Sequence, residues 1–297
     1  MESWQQRFEE QLIFSTPSVQ VGRFHMEASH PQFESGLPPG HYVAAFPEIP
    51  VEIRNPGREP FVTDRTVATL YNPDDVYQRR ARDPRGDRCW WLSVTEDELR
   101  GFLPCHHSAA DLLPFPVAPC SDVAFLMQRL VVGWCQDPDR VRPERVEHTT
   151  RVIVRDLIAT GRTAAMRHAK RARSRSSWLA RRARAVLRQS YRTPLSLRQI
   201  ADRAGCSPYH LSRVFRRETG ASLHGYRTTL RLRTGVDELL ARRGAINDIA
   251  FGLGFASHSH FTDAFRRAFS LTPSAFLHLV DRGEAPELGS MTDPNPA

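Results

Sequence analysis

Two stretches in the second half of the 297-residue sequence decide its fold. Residues 196–220 read SLRQIADRAGCSPYHLSRVFRRETG, and residues 245–270 read AINDIAFGLGFASHSHFTDAFRRAFS. The triplet FRR at residues 215–217 recurs 50 residues later, and the spacing I-A-x-x-x-G that begins at Ile200 recurs 49 residues later. A duplication of this length indicates two copies of one supersecondary unit.

Each copy has the pattern of a helix, a tight turn and a second helix. Gly205 permits the turn because glycine tolerates positive φ, and Ser207 followed by Pro208 is typical of a helix N-terminus. Apolar residues at spacings of three and four predict the buried faces. In the first copy these are Leu197, Ile200, Ala201, Ala204, Leu211, Val214 and Phe215, and in the second Ile246, Ile249, Ala250, Leu253, Phe261, Ala264 and Phe265. The outward positions of the two second helices are Tyr209, His210, Ser212 and Arg213, then His258, Ser259, Thr262 and Asp263. A helix of this kind fits the major groove of DNA, where each base pair presents its own donor and acceptor pattern.

The segment between the copies predicts a stiff connector. Leu223 to Leu240 is apolar at Tyr226, Leu230 and Val236, which predicts one helix of roughly 27 Å at 1.5 Å per residue. Such a helix would hold two recognition helices about one DNA turn, roughly 34 Å, apart on one face. Arginines near these elements are expected to contact phosphates, which position a protein without reading sequence. The candidates are Arg216, Arg217, Arg227, Arg231, Arg266 and Arg267, with Arg233, Arg242 and Arg243 as further ones.

The whole pattern, from Ser196 to Pro273, closely resembles the DNA-binding domain of the AraC/XylS family of bacterial transcription regulators. The resemblance covers about 100 of the 297 residues. It implies that the base contacts fall on Tyr209, Ser212 and Arg213 in the first copy and on His258, Ser259, Thr262 and Asp263 in the second. It also implies that the other half of the chain senses an effector or dimerises, commonly through a cupin-like barrel followed by helices.

Three positions depart from that family pattern. Asp263 stands where the family often has a basic residue, Ser270 where it usually has glycine, and Leu277 where it usually has arginine. An aspartate can accept a hydrogen bond from cytosine N4 but is repelled by phosphate. The second copy is therefore expected to bind more weakly than the first or to read a different base.

The N-terminal half has the texture of an antiparallel β structure. Short apolar runs at residues 41–46, 51–53, 66–71 and 89–94 alternate with Pro, Gly, Asn and Asp turn signals. We expect an α+β multidomain chain with a small cupin-like β-barrel at 1–118 and a dimerising pair of helices at 119–161. A basic linker at 162–177, the double helix-turn-helix domain at 178–280 and a flexible tail at 281–297 complete this expected division.

Composition and charge support a nucleic-acid partner. The sequence carries a net charge of +8, but residues 1–160 hold 17 basic and 23 acidic residues, whereas residues 161–297 hold 24 and 10. A basic half joined to an acidic half suggests a polyanion-binding domain beside a second function. Five cysteines without a C-x-x-C pair indicate reduced thiols. Neither a membrane span nor a secretion signal is evident, so we expect a cytoplasmic protein.

We therefore expect a sequence-specific transcriptional activator that binds promoter DNA as a homodimer, with RNA polymerase as a partner and no membrane association. His41, Tyr71, Tyr77 and Trp90 are candidates to line an effector cavity, although a plain core role is the more common one for such aromatics. One alternative is a constitutive dimeric regulator that binds no ligand. Another is a cupin metalloenzyme with a DNA-binding appendage, since Cys105-His106-His107 with His41 resembles a soft metal site. Adjacent strand residues point to opposite faces, so we predict no metal. The sequence shows no Gly-rich phosphate loop, nucleophile elbow or H-E-x-x-H helix, so we also predict no cofactor and no catalytic residue.

Overall fold

The computed structural model describes residues 8–36, 39–102, 113, 115–137, 139, 141–169 and 175–286. The chain divides into an N-terminal unit, built on residues up to Ala164 with Val280–Ala285, and a C-terminal unit built on Ala165–Leu279. The division agrees with the expected order of a β-rich half followed by a helical half.

Within the described residues of the N-terminal unit, ten antiparallel strands form two sheets. They are β1 (Phe8–Ser15), β2 (Val19–Met26), β3 (Ser35–Gly36), β4 (Tyr42–Pro47), β5 (Val51–Arg54), β6 (Phe61–Val62), β7 (Val67–Tyr71), β8 (Tyr77–Ala81), β9 (Asp87–Val94) and β10 (Val117–Pro119). One sheet has the order β1-β2-β9-β4-β7-β10 and the other β3-β8-β5-β6. Within the described ranges neither sheet closes on itself, so the antiparallel architecture is confirmed but the closed barrel is not.

At the centre of the larger sheet, side chains pack closely across neighbouring strands. On β9, Trp90 and Trp91 point to opposite faces, as successive strand residues must. Trp91 lies opposite Gly22 of β2, and a Cβ atom built on that glycine would lie 2.1 Å from the indole ring. The indole thus occupies the space that any side chain at this position would need.

Three helices are present among the described residues of the first half of the chain: α1 (Glu96–Phe102), α2 (Asp122–Cys135) and α3 (Pro143–Ala169). The Ser121 hydroxyl caps α2 by accepting a hydrogen bond from the Ala124 amide at 2.9 Å. Helix α3 continues past Gly161, where the expected pair of helices ended, so that boundary was wrong. The Phe115 ring lies where a Cβ atom on that glycine would be, at 2.1 Å, so the glycine serves close packing within the helix instead of ending it.

The basic linker expected at residues 162–177 is helical at both of its ends. Residues 162–169 continue α3, and residues 175–177 begin the next helix. Its central residues 170–174 lie outside the described part of the chain, as do residues 287–297 of the expected tail.

Seven helices form the C-terminal part of the chain. They are α4 (Arg175–Ser190), α5 (Leu197–Ala204), α6 (Pro208–Thr219), α7 (Leu223–Leu240), α8 (Ile246–Gly252), α9 (His258–Phe269) and α10 (Pro273–Arg282). We call residues 175–219 the first head and residues 246–279 the second head; α7 is the connector. The connector spans the 18 residues that the sequence predicted.

Each head has a core of its own. The first head buries an aliphatic cluster against the connector, formed by Ala180, Ala183, Leu187, Ile200, Ala201, Ala204, Leu211, Phe215, Leu223, Tyr226 and Leu230. The second buries a chain of aromatic rings, Phe255, Phe261, Phe265, Phe269 and Phe276, with neighbouring centroids 4.6–6.3 Å apart. The predicted buried faces are confirmed except at Leu197, which is 42% exposed, and at Ile246, which is half-buried.

The connector serves both cores. Its first half supplies Tyr226 and Leu230 to the first head, and Val236 and Leu239 of its second half are also buried. At Gly235, a Cβ atom would lie 3.0–3.2 Å from Leu253 and Phe261, so the missing side chain lets the second head approach closely.

Candidate nucleic-acid interface

The recognition helix of the first head, α6, begins as its sequence requires. The Ser207 hydroxyl accepts a hydrogen bond from the His210 amide at 3.3 Å, and Pro208 occupies the first helical turn. Gly205 ends α5 with φ of 78°, in the left-handed region. Leu211 and Phe215 anchor the inner face, so the opposite face is open to a partner.

That open face carries the three residues expected to read bases. Tyr209 is 73% exposed, Arg213 is exposed and Ser212 is half-buried. The Arg213 guanidinium carbon lies 5.6 Å from the centroid of the Tyr209 ring, within the range of a cation–π contact. The ring therefore favours a conformation in which the Arg213 side chain extends along the solvent-exposed side of the helix.

The recognition helix of the second head, α9, has the same start. The Ser257 hydroxyl accepts a hydrogen bond from the His260 amide at 3.1 Å, and His258 and Ser259 are exposed. Thr262 is half-buried and its hydroxyl oxygen is shielded from solvent. Of the four residues expected to read bases here, His258, Ser259 and Asp263 therefore present their polar groups openly.

The two heads differ in charge at equivalent positions. Asp263 of the second head stands where the first head has Arg213, 50 residues earlier. The Asp263 carboxylate accepts a hydrogen bond from Arg266 at 2.7 Å, three residues along the same helix. The first head thus presents a cation beside an aromatic ring, whereas the second presents an acceptor that is already paired with a cation.

The arginines expected at phosphates separate into surface and internal groups. Arg216, Arg217, Arg266 and Arg267 are exposed; Arg217 also pairs with Glu218 at 3.3 Å and bonds the Ser176 hydroxyl at 2.6 Å. Arg227 is half-buried and donates to the Leu195 carbonyl at 2.9 Å. Arg242 and Arg243 are exposed beyond the connector's end, whereas Arg233 is buried.

Arg231 does not lie where a phosphate could meet it, and this expectation is corrected. Only 8% of the residue is exposed. Its Nε donates to the Tyr191 carbonyl at 2.5 Å, its Nη1 to the Gly254 carbonyl at 2.8 Å and its Nη2 to the Arg192 carbonyl at 3.5 Å. Helical periodicity placed it on one side of the connector but could not show that two turns of the chain cover that side.

Three of the four expected effector residues lie around one aromatic cluster in the N-terminal unit. The Tyr71 and Tyr77 rings are 4.6 Å apart, and His41 lies 5.5 Å from Trp91, which packs with Tyr71. Burial raises the pKa of Tyr77 to about 12 and that of Tyr71 well above its ordinary value. Burial also lowers the pKa of His41, so this region favours uncharged forms.

Trp90 points away from that aromatic cluster and instead belongs to a polar cluster around Glu48. Its indole Nε1 donates to the Glu48 carboxylate at 3.1 Å, and Arg88 pairs with the same carboxylate at 2.5 Å. Arg129, only 1% exposed on α2, lies 3.8 Å from it. Burial alone would raise the pKa of Glu48, but Arg129 and Arg88 outweigh burial and hold the pKa below its ordinary value. The sequence analysis missed this ion-pair cluster because its members lie far apart along the chain.

The described residues offer no group of three or more His, Cys, Asp or Glu side chains that could hold a metal. Residues 105–107, the candidate metal cluster, lie outside the described ranges. Cys89, Cys120, Cys135 and Cys206 are free thiols. Across the described helices, none is long and apolar enough to cross a membrane.

Comparisons with known proteins agree on the C-terminal part of the chain. A family model described as a helix-turn-helix domain matches residues 200–278. The regulatory protein SoxS of Escherichia coli K12 is 38% identical over 85 residues, which cover 29% of this chain and 79% of SoxS. The transcriptional regulator Rob of Salmonella typhimurium is 39% identical over 83 residues, covering 28% of this chain and 29% of Rob.

A solved structure aligns along most of the chain, but weakly. The fatty-acid-bound ToxT of Vibrio cholerae covers 92% of this chain and 99% of its own length, at 12% identity and a TM-score of 0.34. That score is too low to support any conclusion about the N-terminal unit. The informative likeness is therefore the one in sequence to SoxS and Rob.

Proposed function

Because the chain belongs to the AraC/XylS family of transcription regulators, we propose that it binds promoter DNA through α6 and α9, which lie in successive major grooves. It is a helix-turn-helix DNA-binding regulator. Tyr209, Ser212 and Arg213 read bases in the first head, and His258, Ser259 and Asp263 do so in the second. Arg216, Arg217, Arg227, Arg266 and Arg267 contact phosphates.

One observation carries this proposal. Two recognition helices with the same capped start each stand on a buried core and turn a polar, exposed face outward. They are joined by a single connector of 18 residues, a length of roughly 27 Å. The first head is the main reader because Arg213 is free to form a bidentate pair with guanine, whereas Asp263 is already paired.

For the N-terminal unit we propose two roles, small-molecule sensing and homodimerisation. The cupin-like sheets within 1–118 hold the effector near Tyr71, Tyr77 and His41, and the helices within 119–161 form the dimer. Ligand binding would shift the population of arrangements compatible with DNA. The regulator acts in the cytoplasm as an activator that works with RNA polymerase, and it has no enzymatic activity of its own.

The DNA-binding proposal is tested by selection from a random library of 40-base-pair duplexes with the full chain. We expect enrichment of one bipartite sequence whose two parts lie about one helical turn apart. Recovery of unenriched sequence, bound with a purely salt-dependent affinity, would show that the chain binds DNA only through phosphates and would overturn the proposal.

The sensing proposal is tested by thermal shift of the full chain against a panel of small metabolites. An effector stabilises the folded state by mass action, by about 2.7 kcal/mol at a hundredfold excess over Kd. Stabilisation by one compound that also changes affinity for the selected DNA supports sensing. If no compound in the panel stabilises the chain, the ligand-independent alternative is favoured.

A further inference from the structure

We propose that Arg231, supported by Arg192, is a positioning residue that fixes the distance and rotation between the two heads and so sets the half-site spacing that the chain accepts. The inference rests on the proposed function, since spacing matters only if both heads bind one duplex. It replaces the phosphate contact that the sequence suggested for Arg231.

The hydrogen bonds of Arg231 join parts of the chain that belong to different heads. Tyr191 and Arg192 form the turn after α4, in the first head, and Gly254 lies in the turn between α8 and α9, in the second. Arg231 itself lies at the middle of the connector, between the residues that serve the two cores. One guanidinium therefore holds the connector and a turn from each head together.

Arg192 adds a second tie across the same boundary. Its Nη1 donates to the Gly252 carbonyl at 3.1 Å, and its Nη2 bonds the Glu238 carboxylate at 2.6 Å. Glu238 is on the connector and Gly252 ends α8, so Arg192 repeats the link from the side of the first head. Thr234, one turn beyond Arg231, also contacts the Tyr191 hydroxyl at 3.3 Å.

The glycines in the turns of the two heads show that the close packing around Arg231 belongs to the boundary between the heads. Gly205 and Gly254 hold equivalent places and have φ of 78° and 80°. A Cβ atom at Gly205 would meet nothing within 4 Å, whereas one at Gly254 would lie 2.3 Å from the Arg192 carbonyl oxygen and 2.8 Å from Arg231 Nη2. Because the two glycines have nearly the same φ, the geometry of the turn does not itself require close packing against Arg192 and Arg231. The second head's turn is thus drawn against the first head at this point.

The chemistry of the side chain fits a fixed angle. A guanidinium is planar and presents its donors in a rigid fork, so carbonyls bound to it are held in direction as well as in distance. The three carbonyls are partly buried, so their hydrogen bonds to Arg231 are only partly replaced by water when the guanidinium is removed. The heads therefore have one favoured arrangement, although each has its own core.

The test measures how binding depends on spacing, which a purely structural role would not change. The full chain is titrated against the bipartite duplex selected from the random library, and against duplexes with one or two base pairs inserted between the half-sites. Each inserted pair rotates one half-site by about 35° relative to the other. For the unsubstituted chain we expect a roughly tenfold loss per inserted pair, on the scale of a lost specific contact.

For Arg231→Met we expect weaker binding to the selected duplex and a loss of no more than about threefold per insertion, because the heads can then rotate. Arg192→Ala, at a half-exposed position, serves if Arg231→Met does not fold, and should flatten the spacing dependence in the same direction. The matched control is Arg182→Ala, since Arg182 also bonds a carbonyl, that of Arg203 at 2.9 Å, but within the first head. It should keep the steep dependence.

The outcomes separate the two proposals. A folded Arg231→Met or Arg192→Ala that keeps the tenfold penalty overturns the positioning role and leaves DNA recognition intact. Failure of the unsubstituted chain to select any bipartite site overturns the proposed function itself. Flattening by Arg182→Ala to the same degree would show a general loss of rigidity and would also overturn the positioning role.

Discussion

Removing the Arg213 guanidinium should relax DNA specificity at a single base pair. The side chain is exposed on the outer face of α6, and the Tyr209 ring lies 5.6 Å from its guanidinium carbon. A bidentate arginine–guanine pair contributes about 1–3 kcal/mol of discrimination against the wrong base. At 1.4 kcal/mol for each factor of ten, Arg213→Ala should lower the preference at that base pair by roughly 5- to 150-fold.

Tyr209 should act on the same base pair through Arg213. An exposed cation–π contact contributes about 0.5–1 kcal/mol, so Tyr209→Ala should cost roughly 2- to 5-fold at that position. Because the ring supports the guanidinium, its removal should matter little once the guanidinium is gone. The double variant should therefore be less damaged than the product of the two single variants.

The assay is fluorescence anisotropy with the selected duplex and with duplexes that carry each single base-pair change. Arg216→Ala is the matched control, because Arg216 is an exposed arginine one turn along the same helix. It should weaken binding to all duplexes alike and reduce the slope of log affinity against log salt by about one. Equal losses on selected and random duplexes for both variants would refute the assignment of Arg213 to base reading.

Three further predictions concern stability. Ala245 is the N-cap of α8 and makes no side-chain hydrogen bond, whereas its first-head equivalent Ser196 has a capping box; Ala245→Ser should therefore add about 1 kcal/mol to the free energy of unfolding, measured by urea denaturation. Ser270 ends α9 in the left-handed region with φ of 59°, so Ser270→Gly should raise stability by about 1 kcal/mol, and an unchanged or lower Tm would contradict this. Glu48 has a folded-state pKa below its ordinary 4.5, so its contribution is present above that pH and is lost as pH falls through the folded-state value. Glu48→Gln should remove that part of the acid dependence and, by removing the negative charge that faces Arg129 and Arg88, cost roughly 3 kcal/mol at neutral pH; an unchanged acid-unfolding curve would contradict it.

The heads and the connector could be predicted from sequence because their signals are local. A serine cap, a proline in the first turn and a glycine with positive φ each act within a few residues, and the repeat supplied the serine and the glycine twice. Asp263 was recognised as unusual from the family resemblance, since the family often has a basic residue at this position. Its pairing with Arg266, at a helical spacing of three, is also a local effect.

The predictions from sequence failed where contacts with distant parts of the chain determine the local structure. Arg231 has the same sequence surroundings as any solvent-facing helical arginine, and only the turns at Tyr191 and Gly254 bury it. A helix end was predicted at residue 161 because sequence could not show the Phe115 ring, which fills the space beside Gly161 and is 46 residues away in sequence. Strands β1 and β2 were not predicted, because they are defined by the strands with which they pair and not by their own composition.

The central claim is that two heads at a fixed separation bind one face of a single duplex. A hydroxyl-radical footprint of the full chain on its selected DNA tests this most directly. We predict two protected patches about one helical turn apart on the same face of the DNA. A single patch, or two patches displaced by about half a turn and so on opposite faces, would contradict the account.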